Sequence, residues 1–352
     1  MAATLSDVAK QAGVDVSTVS RALNNKSNVS DDTKRRIWQV AQTLEYRPNR
    51  VARSLVTKKT NTLGLVMPSI KCLGHTLFCS MLEGISQETE RLGYSLSLSV
   101  VDVDIQGEQA AIMKLEEYRV DGLILGWFKE EYIKESQLVQ LAQREIPFVI
   151  IGDRHLSSQD INMVACDNFL GAYKATKHLI DLGHEKIAII SGPTDEPIVK
   201  NRLAGFNAAL EQAGIHYSEE FRQRFIREED FRKYGGGEAA MHSLLDDGGN
   251  FTAVFAFSDM FAAEAIRVIQ QRSYHVPNDY AVVGFDGAEY GRLLHPSLTT
   301  VKQPYREIGQ KAVQMLKQLI DGEELIKKHV WIEPQLIIRE SCGAQRLAMA
   351  AK

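Results

Sequence analysis

The chain has 352 residues, 44% apolar and 24% charged, enough material for more than one hydrophobic core. The absence of any apolar run of 18 residues argues against a membrane span, and the N-terminus lacks the charged-then-apolar profile of an export signal, so a cytoplasmic protein is expected. Cys72, Cys79, Cys166 and Cys342 are scattered without a C-x-x-C pair, which argues against a zinc module or a disulfide framework. Of the 41 basic and 45 acidic side chains, 11 and 5 fall within residues 1–60, leaving 30 and 40 for the remainder. A basic head on an acidic body fits a head that meets phosphate, although a well-solvated first domain has the same balance.

Thr4 followed by Asp7 predicts a capping box opening a helix with Leu5, Val8, Ala9 and Ala12 on its apolar stripe. Gly13 then permits the left-handed turn that ends it. Asp15 can cap a second helix, Val16 to about Asn24, with Val19 and Leu23 inward. Ser30 can cap a third, with Ile37, Val40, Ala41 and Leu44 inward. Two short helices across a tight Gly turn, braced by a third, follow helix-turn-helix logic. The second helix carries Ser17, Thr18, Ser20 and Arg21 on its outer side. These side chains suit close approach to base edges and phosphates, and an ordinary surface helix equally.

Pro48 ends the third helix, and Asn49 can cap a very short fourth in the run Tyr46 to Leu55. A helix of about two turns does not hold alone in water, so it forms only against a partner or DNA. Leu55 with flanking Arg and Lys has the composition of a minor-groove wedge, and also that of a residue buried in the body. Residues 57–60 (TKKT) read as a linker.

The runs TLSDVAKQAGVDVSTVSRALNN and YRPNRVARSL resemble the head and hinge of the LacI/GalR family of bacterial repressors. The resemblance implies that Val16, Ser17 and Arg21 meet bases, with Thr18 and Ser20 nearer the backbone. It also implies that Leu55 of two subunits wedges into a central minor-groove step. Ser6, Asn24, Tyr46, Asn49, Arg50, Ala52 and Arg53 complete the DNA-facing set it suggests. Asp15 stands where the family commonly has Ser, and caps equally well.

From Thr62 onward, apolar strands alternate with helical patterns. The strands are TLGLVMP, SLSLSVV, DGLILGW and PFVIIGD, then a second series, MVACD, KIAIISG, TAVFAFSD and YAVVGFD. Helices are expected at Phe78–Gly93, Gln109–Arg119, Tyr132–Glu145, Gly171–Leu182, Arg202–Ala213 and Phe261–Arg272. This pattern predicts two α/β lobes built on doubly wound parallel sheets, of the periplasmic-binding-protein-like type that the resemblance implies. By the same resemblance, SLTTV and the helix near Arg306–Ile320 cross back to the first lobe, and a last strand around Trp331–Ile338 returns to the second.

Ligands of such lobes bind at strand C-termini. The candidate effector-binding residues are Ser69, Phe78, Asp153, Arg154, Arg202, Phe231, Ser258 and Asp286. Carboxylates, an Arg fork and an aromatic ring are the usual kit for a sugar. Asp286 could instead cap a turn, Asp153 and Arg154 could pair with each other, and Phe78, like His75, could be packing. Asp167 and Asn168 read as a helix cap, and Gly235–Gly237 as a flexible helix entry without phosphate-loop spacing. Many sugar-binding relatives carry Trp where Phe231 stands.

The domains expected are a helix-turn-helix unit over 1–47, a hinge and linker over 48–60, a two-lobed effector and dimerisation unit over 61–342, and a tail over 343–352. The function expected is a homodimeric transcription repressor on palindromic operator DNA, answering to a sugar or sugar phosphate. No cofactor, metal or membrane partner is expected, because no H-E-x-x-H, G-x-S-x-G or Walker sequence occurs and the histidines lack metal spacing. A catabolite-control regulator answering to a phosphorylated carrier protein, suggested by SGPTDEPI, stays open. An exported sugar-binding protein fits less well, given the basic head and the N-terminus. The tail is too short for the heptads of a tetramerising coiled coil.

Overall fold

A computed structural model of the chain describes residues 3–23, 28–46, 59–68, 75–101, 112–113, 117, 119–126, 135–153, 161–194, 196–215, 223–225, 235–248 and 250–344. They fall into two compact units, divided after Asn61. Asn24, the hinge residues Asn49, Arg50, Ala52, Arg53 and Leu55, and Ser69, Arg154 and Phe231 lie outside the described residues. So does most of the helix expected at Gln109–Arg119.

The first unit is three helices: α1 (Leu5–Ala12), α2 (Val16–Leu23) and α3 (Asp31–Thr43). The Thr4 hydroxyl accepts from the Asp7 amide while the Asp7 carboxylate accepts from the Thr4 amide at 2.9 Å. Gly13 ends α1 at φ 66°. The Asp15 carbonyl accepts from Thr18 and Val19, and the Ser30 side chain from Thr33. Val8, Ala9, Ala12, Val19, Ala22, Ile37 and Ala41 form the core, with Leu23, Val40, Leu44 and Tyr46 against its edge.

The second unit holds two sheets of the same plan. In the first lobe, β1 (Thr62–Pro68), β2 (Ser95–Val101), β3 (Gly122–Gly126), β4 (Phe148–Ile151) and β5 (Met163–Cys166) lie in the order β5-β4-β3-β1-β2. In the second, β6 (Ile187–Ser191), β7 (Gln223–Phe225), β8 (Ala253–Ala256), β9 (Ala281–Asp286) and β10 (Thr299–Lys302) lie in the order β10-β9-β8-β6-β7. Two further strands, β11 (His329–Ile332) beside β5 and β12 (Gln335–Ile337) beside β10, close the matching edges. All pairs are parallel except β10–β12.

Each sheet is apolar on both faces, as parallel sheets require. Ile187 and Ile189 enter one core and Ala188 and Ile190 the other; Phe148 and Ile150 oppose Val149 and Ile151 likewise. Helices α4 (His75–Arg91) and α5 (Glu135–Gln143) belong to the first lobe, and α6 (Asn168–Asp181), α7 (Pro197–Gln212), α8 (Gly236–Asp246) and α9 (Asp259–Gln271) to the second. The helix α10 (Tyr305–Ile320) packs on α4, β3, β4 and β5 of the first lobe. Helix pairs approach closely at glycines. A Cβ on Gly84 of α4 would lie 2.2 Å from the Arg306 carbonyl oxygen, and one on Gly205 of α7 2.1 Å from that of Phe169.

Several sequence assignments change. The MVAC strand β5 belongs to the first sheet, not to the second series, and the chain first crosses between lobes at α6. The SLTTV strand β10 stays in the second sheet, and the return begins only with α10. Residues 331–338 are not one strand: Trp331 and Ile332 end β11 in the first sheet, and β12 starts after Glu333 and Pro334, antiparallel, in the second. Short apolar strands carry the same pattern in either sheet, so pairing rather than composition assigns them. The short edge strand β7 precedes the Gly235–Gly237 run and was not anticipated. Helix α7 begins at Pro197, the position where a missing N–H costs nothing, so Arg202 lies in its second turn rather than at its start.

Candidate functional site

Two candidate surfaces emerge, one in each unit. In the first, burial of Val19 and Ala22 turns the opposite side of α2 outward. Val16, Ser17 and Arg21 are exposed there, with Thr18 and Ser20 half-buried. Val16 is 45% exposed, so its apolar side chain is free to meet a partner surface. Ser6 is exposed on α1. Tyr46 packs against the edge of the core, and its amide donates to the Ala41 carbonyl at 2.8 Å.

In the second unit, the strand ends of both lobes bring Asp153, Arg202, Ser258 and Asp286 into one hydrogen-bonded cluster. Asp153 follows β4 and Asp286 ends β9, the fourth strand of each lobe. Each carboxylate accepts from an amide side chain placed just after the fifth strand. Asn168 Nδ2 donates to Asp153 at 2.7 Å, and Gln303 Nε2 to Asp286 at 2.8 Å. Both bonds therefore sit where the chain leaves one lobe for the other. Asn201 of α7 adds a second donor to Asp153 at 3.2 Å, joining the first lobe to the second. The Ser258 hydroxyl donates to Asp286 at 3.0 Å and accepts from the Met260 amide, capping α9.

Arg202, 6% exposed, ties the two halves together. Its Nε donates to Asn168 Oδ1 at 2.9 Å, its Nη1 to the Phe257 carbonyl, and its Nη2 lies 3.9 Å from Asp286. The guanidinium rests on the Phe285 ring, 3.6 Å from the centroid, a cation–π contact strengthened by burial. Asp259 lies behind Asp286, accepting from the Thr300 hydroxyl at 2.5 Å and the Ala288 amide at 2.6 Å.

Among the described residues of the cluster, one cation stands among three carboxylates, Asp259 buried and Asp153 and Asp286 half-buried, which leaves the acids short of compensation. Burial pushes the Asp153 carboxyl up, against the donors Asn168 and Asn201, the charge of Arg202 and the Trp331 indole. Asp286 is raised by burial too, against Arg202, Ser258 and Gln303. Asp259 is pushed up to about 7, by burial first and then by the Asp286 charge.

A folded-state value above the unfolded one means that the native chain holds a proton the unfolded chain has released. Stability from Asp259 is therefore lost as pH rises from about 4 to about 7 and is flat above that. Urea midpoints measured at about pH 5.5 and pH 8 should fall with pH more for the natural chain than for Asp259→Asn. The comparison cancels His178 and His184, whose values burial pushes down and whose effect has the opposite sign. Equal slopes for the two proteins would show that Asp259 ionises normally.

The sequence named Asp153, Arg202, Ser258 and Asp286, and the structure brings these together. Phe78 does not join them: it is 4% exposed in the first-lobe core with Met81 and Ile85, where its ring is packing. Asp167 caps α6 through the Leu170 amide. Its neighbour Asn168 is a central member of the cluster, and Asn201 and Gln303 went unmarked. Among the described residues no helix is long and apolar enough to cross a membrane, and no cluster could hold a metal ion.

Comparison with known proteins agrees with this architecture. Residues 4–49 match the model of bacterial regulatory proteins of the lacI family, and residues 176–342 that of a periplasmic binding protein-like domain. The HTH-type transcriptional regulator DegA of Bacillus subtilis is 34% identical, covering 97% of this chain and 98% of the relative. The ribose operon repressor of Haemophilus influenzae is 32% identical, covering 96% and 98%. A crystal structure of the lac repressor dimer, bound to operator and an anti-inducer, superposes with a TM-score of 0.81 at 28% identity, covering 97% of this chain and 99% of that one. The chain thus belongs to the lacI family of bacterial regulatory proteins and is a DNA-binding transcriptional regulator.

Proposed function

We propose that the chain represses transcription from the cytoplasm as a homodimer on a palindromic operator, and that a small hydroxyl-rich effector in the cleft between its lobes sets its affinity for DNA. The observation that carries the DNA reading is the outward face of α2, where Val16, Ser17 and Arg21 stand exposed opposite buried Val19 and Ala22. Such a face, with one Arg among short hydroxyl side chains, fits a major groove. The operator-bound lac repressor dimer supports the dimer, and the ribose operon repressor supports a sugar-class effector. Asp153, Arg202, Ser258 and Asp286 are the effector contacts of this reading, with Ser6, Thr18 and Ser20 flanking the base-reading set. The hinge contacts, Asn49 to Leu55, rest on sequence alone. The function is binding, not catalysis.

Arg21→Ala tests the head. An Arg fork on guanine is worth about 1–3 kcal/mol, so operator affinity should fall roughly 5- to 150-fold in a gel-shift titration, with binding to unrelated DNA changed less. Affinity of the natural chain should also fall steeply with salt as counterions are released. An unchanged operator titration for the variant removes Arg21 from the reading surface.

A further inference from the structure

We infer that Asp259 is a positioning residue for the effector site: its carboxylate grips the turn that follows Asp286 and so sets where the Asp286 side chain stands. This rests on the effector reading above, in which Asp286 is a contact, and adds the residue that places it. Asp286 ends β9 at φ 131°, a region that a residue with a Cβ enters only where its surroundings hold it. Gly287 follows at φ 77°, so close to β10 that a Cβ there would lie 2.6 Å from the Lys302 Cα. The bonds that hold this turn converge on one side chain. The Ala288 amide donates to Asp259 Oδ2 at 2.6 Å. The Gly287 amide is shared between the Asp259 carboxylate and the Thr300 hydroxyl oxygen, 3.2 Å away. The Thr300 hydroxyl gives its own proton to Asp259 Oδ1 at 2.5 Å. In return, the Asp259 amide donates to the Asp286 carboxylate, beside the Ser258 hydroxyl at 3.0 Å. Main chain and side chain of Asp259 thus hold both ends of the same residue.

A carboxylate is a costly choice at this place. Asp259 is fully buried, and burial and the Asp286 charge both oppose its ionisation. Strand β9 makes room for it with Gly284, where a Cβ would lie 2.3 Å from Asp259 Oδ1. Helix α9 does not call for the acid, since Ser258 already caps it through the Met260 amide. The turn does: two successive backbone N–H groups point inward there, one of them on buried Ala288, and enclosed N–H groups need acceptors. A side chain locked by its own hydrogen bonds is what keeps a binding group in place on a rigid element.

Calorimetric titration of full-length variants, below their melting range, tests the assignment with D-ribose, D-glucose and D-fructose. For any of the three that binds the natural chain, Asp259→Ala should weaken binding roughly tenfold or more, the worth of one charge-assisted hydrogen bond. Asp259→Asn keeps an oxygen for the two amides and turns its NH2 toward the Thr300 oxygen, so it should recover most of that loss. Thr300→Val keeps the shape and removes the hydroxyl, and should weaken binding roughly two- to tenfold. A purely structural role would lower Tm in these variants and leave the Kd of the folded proteins unchanged. Natural affinity in a folded Asp259→Ala overturns the assignment. Should that variant fail to fold, natural affinity in Thr300→Val overturns it instead. A natural chain that binds none of the three sugars overturns the sugar reading itself, and the positioning role with it.

Discussion

Arg202→Ala should lose effector response and, in the same molecule, lower Tm. The side chain is almost wholly buried and makes two hydrogen bonds, one ion pair and a ring contact. Removing one partner of a buried pair typically costs about 3–5 kcal/mol, because the other charge stays behind without compensation. For a body of this size that is a fall in Tm of roughly 5–8 °C. Part of the cost is relieved as Asp286, already raised by burial, takes up a proton, so the variant should recover stability on mild acidification. Operator binding below the melting range should persist, since α2 lies in the other unit and shares none of these contacts. Arg202→Lys keeps the charge and loses the fork, so it should retain more stability than effector response. Calorimetry with gel shifts in the presence of a responding sugar separates the two effects. A variant that melts like the natural chain and still responds would show the cluster to be neither structural support nor binding site.

Gly205→Ala should destabilise the body, against the usual sign. In a helix interior, replacing Gly with Ala commonly stabilises by about 0.5–1 kcal/mol. Here the added methyl would lie 2.1 Å from the Phe169 carbonyl oxygen and 3.0 Å from the Tyr173 amide nitrogen. Both are backbone atoms of α6, so no side chain can turn aside and the helices must part, at about 3 kcal/mol. The parting also bears on function: α6 carries Asn168 and α7 carries Asn201 and Arg202, so the distances that hold Asp153 change together. Urea unfolding should show a lower midpoint and sugar-induced stabilisation a weaker response. Gly13→Ala, at a left-handed φ of 66° with nothing within 4 Å, provides the contrast. It should cost only its backbone strain, roughly 1–2 kcal/mol in the head, and leave the body unchanged.

Those two sites illustrate what a single sequence discloses. Gly13 was legible because its cause is local: an apolar stripe ends, and a residue tolerant of positive φ follows. Thr4 with Asp7, and Ser30 before its helix, were legible for the same reason. Gly205 was not, since only the approach of α6 explains it. The cleft shows the same division. Asp153 and Asp286 drew attention as acids just after apolar strands, and Arg202 as the residue expected to open the helix after the GPTDEPIVKN loop, with a role implied by the family resemblance. Asn168 looked like part of a cap because Asp167 beside it is one. Gln303 gave no signal, since its partner Asp286 is brought to it by the pairing of β9 with β10. Apart from the short edge strand β7 and the break between β11 and β12, the strands were found, but β5 and β10 were put in the wrong lobes, because the crossings depend on which sheet has a vacant edge. Phe78 was ambiguous for a similar reason: an aromatic ring after a strand can face either a cleft or a core.

The interleaving of the lobes also governs the order in which the protein can come into being. Among the described residues the core of the head is drawn from its first 46 residues, with α1, α2 and α3 packed on one another. The first lobe begins at Thr62, yet its core includes Tyr305, Ile308, Val313 and Leu316 of α10, and its sheet is finished by β11 at Ile332. A ribosome therefore releases a finished DNA-reading head long before either lobe can seal. Until the last few dozen residues emerge, the faces of β3, β4 and β5 that α10 covers stay bare, as apolar surface that invites chaperones and proteases. Messages or chains broken short of α10 should accordingly leave no stable body. Only a protein translated through α10 and β11 can carry both the head and a sealed first lobe.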